Sequence, residues 1–322
     1  MPMNTTFLRP ATCVCGLIAA TITAQSAPLQ RADVAAEPTW VAHVDCDGLR
    51  PTAIGQYLLT ELEKPEAQAK FAAFQTIFNF DPRKQLHGLT LYSTGKAPEN
   101  GVLLVYADFE ADRLVTMAKA ATDYHGTSYK QHTIHNWIDE KKKAKGGVKP
   151  RVYAAIQGGH IVVFAQQESR VAQALDVLDR TAPNLAGSAV FPQLGASGST
   201  GFIQAAARKM DIPDSAPNAA ILRLAKQARL EIGESQGQLR ATLNLEAGDE
   251  EVSKQMVSVG QGLIALMKLQ PNNPGSVKLA EALSLKQDGA GVAVALAFPV
   301  ADVIELVKAG AAKKAQKKAE AE

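Results

Sequence analysis

Three residues that bind metals or move protons recur at every second position near the start of the chain, namely His43, Asp45 and Asp47. Alternate residues of a β-strand share a face, so a strand here would gather these side chains, with Cys46 on the opposite face. Imidazole and carboxylate groups are ligands that zinc accepts. The same pattern fits a strand end at which Asp47 opens a turn with Gly48 and helps the next helix to begin. The second interpretation is better supported, so we assign no metal ligand, no cofactor and no catalytic residue.

The other histidines give no stronger site. His132 and His135 would share an ion on a helix, but their neighbours favour a strand, on which two rings three residues apart face opposite sides. His125 lies nearby, in a glycine-containing turn. His87 and His160 each border a glycine at the start of a strand, where we expect backbone groups to satisfy their rings.

Two serines, Ser197 and Ser199, lie among glycines in the segment 195–199. A serine hydrolase of the Gly-x-Ser-x-Gly type needs a glycine where Ser199 stands, and it needs the segment to join a strand to a helix. Neither condition is met, so we interpret the segment as a linker. The chain also has no glycine-rich phosphate loop with a lysine.

The densest charge cluster is the run 141–151, which carries Lys141, Lys142, Lys143, Lys145, Lys149 and Arg151. Glycines, a proline and the lack of aromatic residues favour a solvated loop. The alternative is weak contact with an anionic envelope surface, because each lysine near such a membrane contributes about 1 kcal/mol.

The first residues have the order of a bacterial secretory signal peptide. Arg9 precedes the apolar stretch Ala11–Ile22, and small residues follow. This stretch is shorter than the roughly 20 residues that a membrane-spanning helix needs. We therefore expect export to the periplasm or the exterior as a soluble protein, with cleavage after Ser26 or, alternatively, after Ala27.

Composition limits the remaining possibilities. Cleavage would remove Cys13 and Cys15, so the mature chain keeps Cys46 alone and cannot form an internal disulfide. The hydrophobic fraction of 46% supports a packed core, but aromatic residues make up only 6%. The formal net charge of +2 provides no field that favours nucleic acid.

Hydrophobic periodicity predicts a strand, helices and two hairpins, and this order recurs after residue 200. Alternating hairpins and helices are typical of α+β proteins with antiparallel sheets and helices on one face. We predict two similar lobes that arose by internal duplication; chance agreement of short elements is the alternative. The detailed predictions include one strand at Ser128–Ile138, a helix at Ala216–Ala228 and Ser169 as a helix cap.

The predicted organisation places a signal peptide at 1–26, an extended leader at 27–38, a first lobe at 39–190, a linker at 191–200, a second lobe at 201–310 and a charged tail at 311–322.

This layout resembles a group of uncharacterised exported bacterial proteins. The segments that carry the resemblance are Trp40–Leu49, Phe80–Tyr92 and the closing hairpin and helix. The resemblance implies export and fold, and it implies no activity and no site residue.

We therefore expect an exported, non-enzymatic binding or scaffold protein of the envelope. One alternative is a hydrolase whose catalytic groups come from distant segments, for instance His43 with Asp45. Another is a protein that binds lipid or another apolar ligand between the sheet and its long helix, where the Ala- and Val-rich faces of the final hairpin leave room for a groove. A pocket with several converging polar side chains would favour the enzyme, and an apolar cleft would favour the ligand binder.

Overall fold

Runs of alternately buried residues organise most of the chain into strands. The structure, a computed structural model, describes residues 27–143, 149–196, 201–208, 223–270 and 274–319. Within these ranges twelve strands form one antiparallel sheet. The strands are β1 Trp40–Asp45, β2 Leu86–Ser93, β3 Gly101–Ala107, β4 His125–Tyr129, β5 His132–Ile138, β6 Arg151–Gln157, β7 Ile161–Ala165, β8 Gly201–Arg208, β9 Ala225–Ser235, β10 Gln238–Ala247, β11 Leu283–Asp288 and β12 Gly291–Pro299.

Helices fill the connections between these strands. They are α1 Cys46–Leu49, α2 Ala53–Leu62, α3 Pro65–Phe78, α4 Pro82–Gln85, α5 Ala111–Lys119, α6 Glu168–Leu178, α7 Glu250–Lys268, α8 Pro274–Ala282 and α9 Val300–Ala319. Local signals fix several starts: Thr52 caps α2, Asp249 caps α7, and Pro65 occupies the first turn of α3. The α+β class is therefore confirmed.

The strand order is β11-β12-β10-β9-β8-β1-β2-β3-β7-β6-β5-β4. The two halves of the chain meet at the antiparallel pair β1 and β8, with Val41 opposite Ala206. Corresponding strands hold corresponding places on either side of this pair, and the hairpin β4-β5 extends one edge. A duplicated unit would give this order, but both halves share one sheet, so duplication into two lobes stays a prediction.

One face of the first half carries the main core. Residues of α6 such as Val171 and Leu175 pack with Leu104 and Val163, and all four are fully buried. Alternation along β5 assigns the two faces: Ile134 belongs to this core, whereas the next residue, His135, lines a pocket under α5 on the other face. Helices of the first half thus cover both faces of the sheet.

Segments expected to be a leader and a linker also belong to this core. Leu29 and Val34 of the expected leader are buried, and so are Phe191 and Leu194 of the expected linker. Arg31 joins the two segments, since its guanidinium donates to the carbonyl oxygens of Leu185 and Leu194 at 2.8 and 2.9 Å. The expected leader and the expected linker are therefore packed into the core, which their composition did not indicate.

A smaller core lies under α7 in the second half. Met256 packs against Leu245 of β10 and Val292 of β12. The hydroxyl of Ser253, which is fully buried, donates to the Gly289 carbonyl and so ties the helix to the turn between β11 and β12.

Some sequence predictions were wrong in detail. The stretch Ser128–Ile138 forms parts of two strands, because Lys130 adopts a positive φ of 52° and reverses the chain. Ala225–Ala228 belong to β9 rather than to a helix, since they pair with β10; the expected helical residues up to 222 lie outside the described ranges. Helix α6 begins at Glu168, so Ser169 lies inside its first turn.

The last helix extends into the C-terminal segment. Helix α9 continues to Ala319 and includes most of the residues that we expected to be a charged tail. Within the described ranges, no helix is long and apolar enough to cross a membrane. Residues 1–26, which we predict to be a signal peptide, lie outside these ranges.

Candidate functional site

The ring of His43, in the first strand, is hydrogen bonded to the protein at both nitrogens. His43 is 2% exposed; its Nε2 donates to the carbonyl oxygen of Ala27 at 2.9 Å, so its Nδ1 accepts from the Thr90 hydroxyl at 2.8 Å. Burial lowers the pKa of His43. Both ring nitrogens are occupied, so this ring has no free position for a metal or a substrate.

The acidic residues beside His43 separate. Asp45 is buried and accepts from the backbone N–H of Gly48 at 2.8 Å, which caps α1. Asp47 lies in α1 instead of continuing the strand, which agrees with the preferred interpretation of a strand end followed by a helix, although Asp45 rather than Asp47 caps that helix. Asp47 pairs with Arg50 and His87. Within the described ranges, no group of three or more His, Cys, Asp or Glu residues is placed to hold a metal ion.

Cys46 is half-buried beside this cluster. Burial raises the pKa of its thiol to about 11, so the side chain is a neutral thiol at physiological pH. A protonated, partly covered thiol is a poor nucleophile.

His87 is satisfied by carboxylates rather than by the backbone, contrary to expectation. Its Nδ1 lies 2.9 Å from Asp47 Oδ2 and its Nε2 lies 3.0 Å from Asp108 Oδ2. Burial alone would lower its pKa, but the hydrogen bonds to Asp108 and Asp47 outweigh burial and raise it. The ring joins α1 to the loop after β3.

The remaining histidines lie apart, as the strand pattern predicted for two of them. His132 faces α6, where its Nε2 lies 2.7 Å from Asp179 Oδ2, whereas His135 faces α5. His125 begins β4 rather than lying in a turn, and it is exposed. His160 donates from Nδ1 to the Gly158 carbonyl at 2.8 Å, a backbone partner as expected.

Two predicted features lie partly or wholly outside the described ranges. Ser197 and Ser199 fall in 197–200, and the middle of the basic run falls in 144–148. Lys141–Lys143, at the start of that run, are exposed.

A pocket of about 330 Å³ lies between α5 and the adjoining strands. Its walls are almost entirely apolar and come from the end of α3, from α5 and from β5, β6 and β7. The lining residues are Phe78, Leu114, Val115, Met117, Ala118, Ala121, His135, Trp137, Ala154, Ala155, Ile156, Val162 and Phe164.

Small side chains create this space. Ala118 and Ala121 stand on the helix side and Ala154 on the sheet side, where larger residues would meet and close it. Arg113 fixes the pocket's end, because its guanidinium donates to the carbonyl oxygens of Thr76 and Ile77 at 2.8 and 2.9 Å and ties α5 to the end of α3.

Among the residues that line the pocket, His135 has the one ionisable side chain. It is 8% exposed, and its Nδ1 lies 2.8 Å from the hydroxyl oxygen of Tyr124. The pKa of His135 is lowered, first by burial and second by the charge of Lys119. The ring is therefore neutral at pH 7, and its Nε2 has no hydrogen-bond partner among the described residues. The sequence predicted that His135 faces the side of the sheet opposite to His132, but it did not indicate this pocket. The apolar groove that we expected at the long helix and final hairpin belongs to the other half of the sheet.

A second pocket, of about 300 Å³, lies beside Phe191 and is more polar. Gln227, Arg229, Asn244 and Glu246 contribute to its wall. None of its lining residues is a serine, threonine, cysteine or histidine, so it has no hydroxyl, thiol or imidazole group.

Comparisons with known proteins show a distant structural resemblance and no family. No family model matches the chain, and no curated protein is significantly similar to it. Crystal form III of the protein TP0453 matches with a TM-score of 0.49 and 10% identity over 89% of this chain and 100% of that one. Crystal form I matches with a TM-score of 0.46 and 9% identity over 88% and 98%, and crystal form IV with 0.45 and 10% over 87% and 97%.

Proposed function

We propose that this chain is an exported, non-enzymatic binding protein of the bacterial envelope that holds a small apolar ligand in the pocket under α5. The observation that supports it is the apolar pocket itself. Its volume lies at the lower end of the roughly 300–1,000 Å³ typical of small-molecule sites. An apolar wall with one polar group is the composition that such sites usually have.

The size of the pocket limits the ligand. An apolar cavity of about 150 Å³ accepts a benzene ring, so a pocket of about 330 Å³ suits a ligand of about a dozen non-hydrogen atoms. A short acyl chain or a single substituted ring has this size, whereas a whole phospholipid is too large.

The hydrolase alternative has less support. Catalysis by a nucleophile needs a base within hydrogen-bond reach of it, and a third group that orients the base. His43 and the Thr90 hydroxyl are such a pair, but they are 2% and 0% exposed, so a substrate cannot reach them. At His135 the hydroxyl is that of Tyr124, and no third group among the described residues orients the ring. A protein that is only a scaffold should have a filled core, whereas this protein has an open space under α5.

Export and surface contact remain part of the proposal. The signal-peptide pattern supports export to the periplasm or the exterior, and N-terminal sequencing of protein from the periplasmic fraction tests it. The exposed lysines 141–143 fit weak contact with an anionic envelope surface.

Trp137 makes the ligand test direct, because it lines the pocket and the chain has only two tryptophans. The variant Trp40→Phe leaves Trp137 as the single reporter. We expect decanol to cause a saturable change in its fluorescence. Ala118→Phe, which fills the pocket, should abolish that change, and Ala154→Leu should weaken it from the sheet side.

Ala73→Phe is the matched control, because Ala73 is exposed on α3. It should bind decanol as the parent protein does. A titration that does not saturate, or equal binding by the Ala118→Phe and Ala73→Phe variants, would refute the proposed site.

A further inference from the structure

We propose that the pocket under α5 selects an amphiphile with a medium-length alkyl chain and a carboxylate head, to which His135 Nε2 donates a hydrogen bond. This inference rests on the proposed function and names its ligand class. It depends on the proton positions at His135, on the charge of Lys119 and on the shape of the pocket.

The hydroxyl of Tyr124 determines which nitrogen of His135 carries the proton. Its oxygen lies 2.8 Å from Nδ1, and no other acceptor for its proton is found among the described residues. We infer that the phenol donates in this contact, because a phenol is a better donor than a neutral imidazole N–H, so Nδ1 is the unprotonated nitrogen of the neutral ring. Nε2 consequently carries the hydrogen and is available as a donor. A ligand oxygen supplies an acceptor, whereas an ammonium head would not.

Lys119 extends the preference to an anion. It is the last residue of α5 and is exposed, and its charge acts on the His135 ring. A carboxylate at Nε2 would meet a hydrogen-bond donor and a nearby positive charge together. Hydrogen bonds with an ionised partner are roughly twice as strong as neutral ones, so a carboxylate gains more here than an alcohol.

The rest of the wall suits an alkyl chain. Leu114 and Met117 of α5 face Ile156 and Phe164 of the sheet across the pocket. A space for about a dozen non-hydrogen atoms holds decanoate, with its head at His135 and its chain along these residues.

The experiment compares three decyl compounds in the Trp40→Phe protein, each used below the concentration at which it forms micelles. Decanoate should bind about tenfold more tightly than decanol, as expected for one charge-assisted hydrogen bond, and decyltrimethylammonium should bind most weakly. His135→Phe keeps an aromatic ring and should remove the preference for decanoate. Lys119→Gln should reduce it, and Lys254→Gln, on α7 over the other half of the sheet, should not change it.

The outcomes separate the two proposals. Equal affinity for decanoate and decanol, with both lost in Ala118→Phe, would overturn the carboxylate preference and leave the apolar site intact. Failure of all three compounds to bind would overturn the proposed function itself. If His135→Phe does not fold, Tyr124→Phe gives the same test. Without the phenol hydroxyl, the proton of His135 is no longer held on Nε2, so the preference for decanoate over decanol should decrease.

A separate observation concerns the start of the mature chain. The backbone nitrogen of Ala27 lies 3.2 Å from Oδ1 of Asp45, a carboxylate that is only 5% exposed. The carbonyl oxygen of the same residue accepts from His43. We infer that signal cleavage occurs after Ser26 and that the new α-ammonium group of Ala27 forms an ion pair with Asp45. Like the localisation, this inference depends on export.

Cleavage changes the chemistry of the Ala27 nitrogen. Before cleavage the Ala27 nitrogen belongs to a peptide bond and donates as a neutral group. Afterwards it is an amine with an ordinary pKa of about 8, so it is charged at neutral pH. A charged donor on a buried carboxylate makes a stronger hydrogen bond. Cleavage after Ala27, the alternative site, would discard this contact.

Proteins that begin at Ala27, at Ser26 and at Pro28 test the inference by chemical unfolding. The protein that begins at Ala27 should be the most stable of the three. Its unfolding equilibrium constant should be about tenfold smaller than that of the protein that begins at Ser26. Asp45→Asn should abolish the difference between these two, a double-mutant comparison that cancels the loss of the Gly48 contact. Equal stability of the Ala27 and Ser26 proteins would overturn it.

Two further measurements do not depend on the folding of Asp45→Asn. Acetylation of the Ala27 amine should raise the unfolding constant of the Ala27 protein by a similar factor. N-terminal sequencing of the exported protein should give Ala27, and a start at Pro28 would contradict the assigned cleavage.

Discussion

Filling the pocket under α5 should stabilise the ligand-free protein. Ala118→Leu adds three carbon atoms to a helix residue that faces a space of about 330 Å³. Complete burial of each carbon contributes about 0.8 kcal/mol, or about 2.4 kcal/mol in total. Ala118 is only partly buried, so about half of this is available, and the lower helix propensity of leucine costs a few tenths of a kcal/mol. The expected gain is about 1 kcal/mol, or about 2–4 °C in Tm for a chain of this size.

The assay is thermal and guanidinium unfolding of protein from which bound lipid has been stripped. Ala73→Leu is the control, because it makes the same change at an exposed site of α3, and its effect should stay within about 0.5 kcal/mol. Extra carbons in a well-packed core typically cost about 1–3 kcal/mol. Destabilisation of that size by Ala118→Leu would therefore show that the space is not a real void, and it would refute the reasoning.

Other predictions concern charge and pH. His87 has a raised pKa, so its stabilising contribution is full below about pH 6.5 and is lost as pH rises through the folded value; His87→Gln should remove this alkaline loss from a series of unfolding curves. His43 has a lowered pKa, so protonation opposes folding and stability is lost as pH falls below about 6.5; His43→Gln should flatten that acid loss. Glu234 of β9 accepts from the first two backbone N–H groups of α2 at 3.0 and 3.1 Å, so Glu234→Ala should cost about 1 kcal/mol in chemical unfolding. Replacing Lys141–Lys143 and Lys145 with Gln should change stability by no more than about 0.5 kcal/mol per residue and should weaken sedimentation with anionic vesicles at low salt; equal sedimentation of both proteins would exclude surface contact.

Local patterns predicted most elements because their causes are local. Pro65 begins α3, and the glycines at 158 and 159, both with positive φ, form the turn between β6 and β7. Where the decisive contact is distant, the pattern failed. Ala225 would suit a helix, but its backbone pairs with Ala247 of β10. Lys130 turns the chain without a glycine, so nothing in the sequence indicated the turn.

The pocket could not be predicted for the same reason. The alternation in β5 was enough to place His132 and His135 on opposite faces. Whether alanines at 118 and 154 close a gap or leave one depends on the distance between α5 and β6, which no local pattern encodes. The tautomer of His135 likewise depends on Tyr124, whose position across the β4-β5 hairpin follows from a turn that was missed.

Native mass spectrometry of the protein from its own periplasmic fraction tests the central claim most directly. The wild-type chain should carry a small adduct with the mass of an amphiphile of about a dozen non-hydrogen atoms, and the Ala118→Phe protein from the same cells should carry none. The Ala73→Phe protein should keep the adduct. Wild-type protein that carries no adduct and also fails to bind added decanoate or decanol would contradict the account.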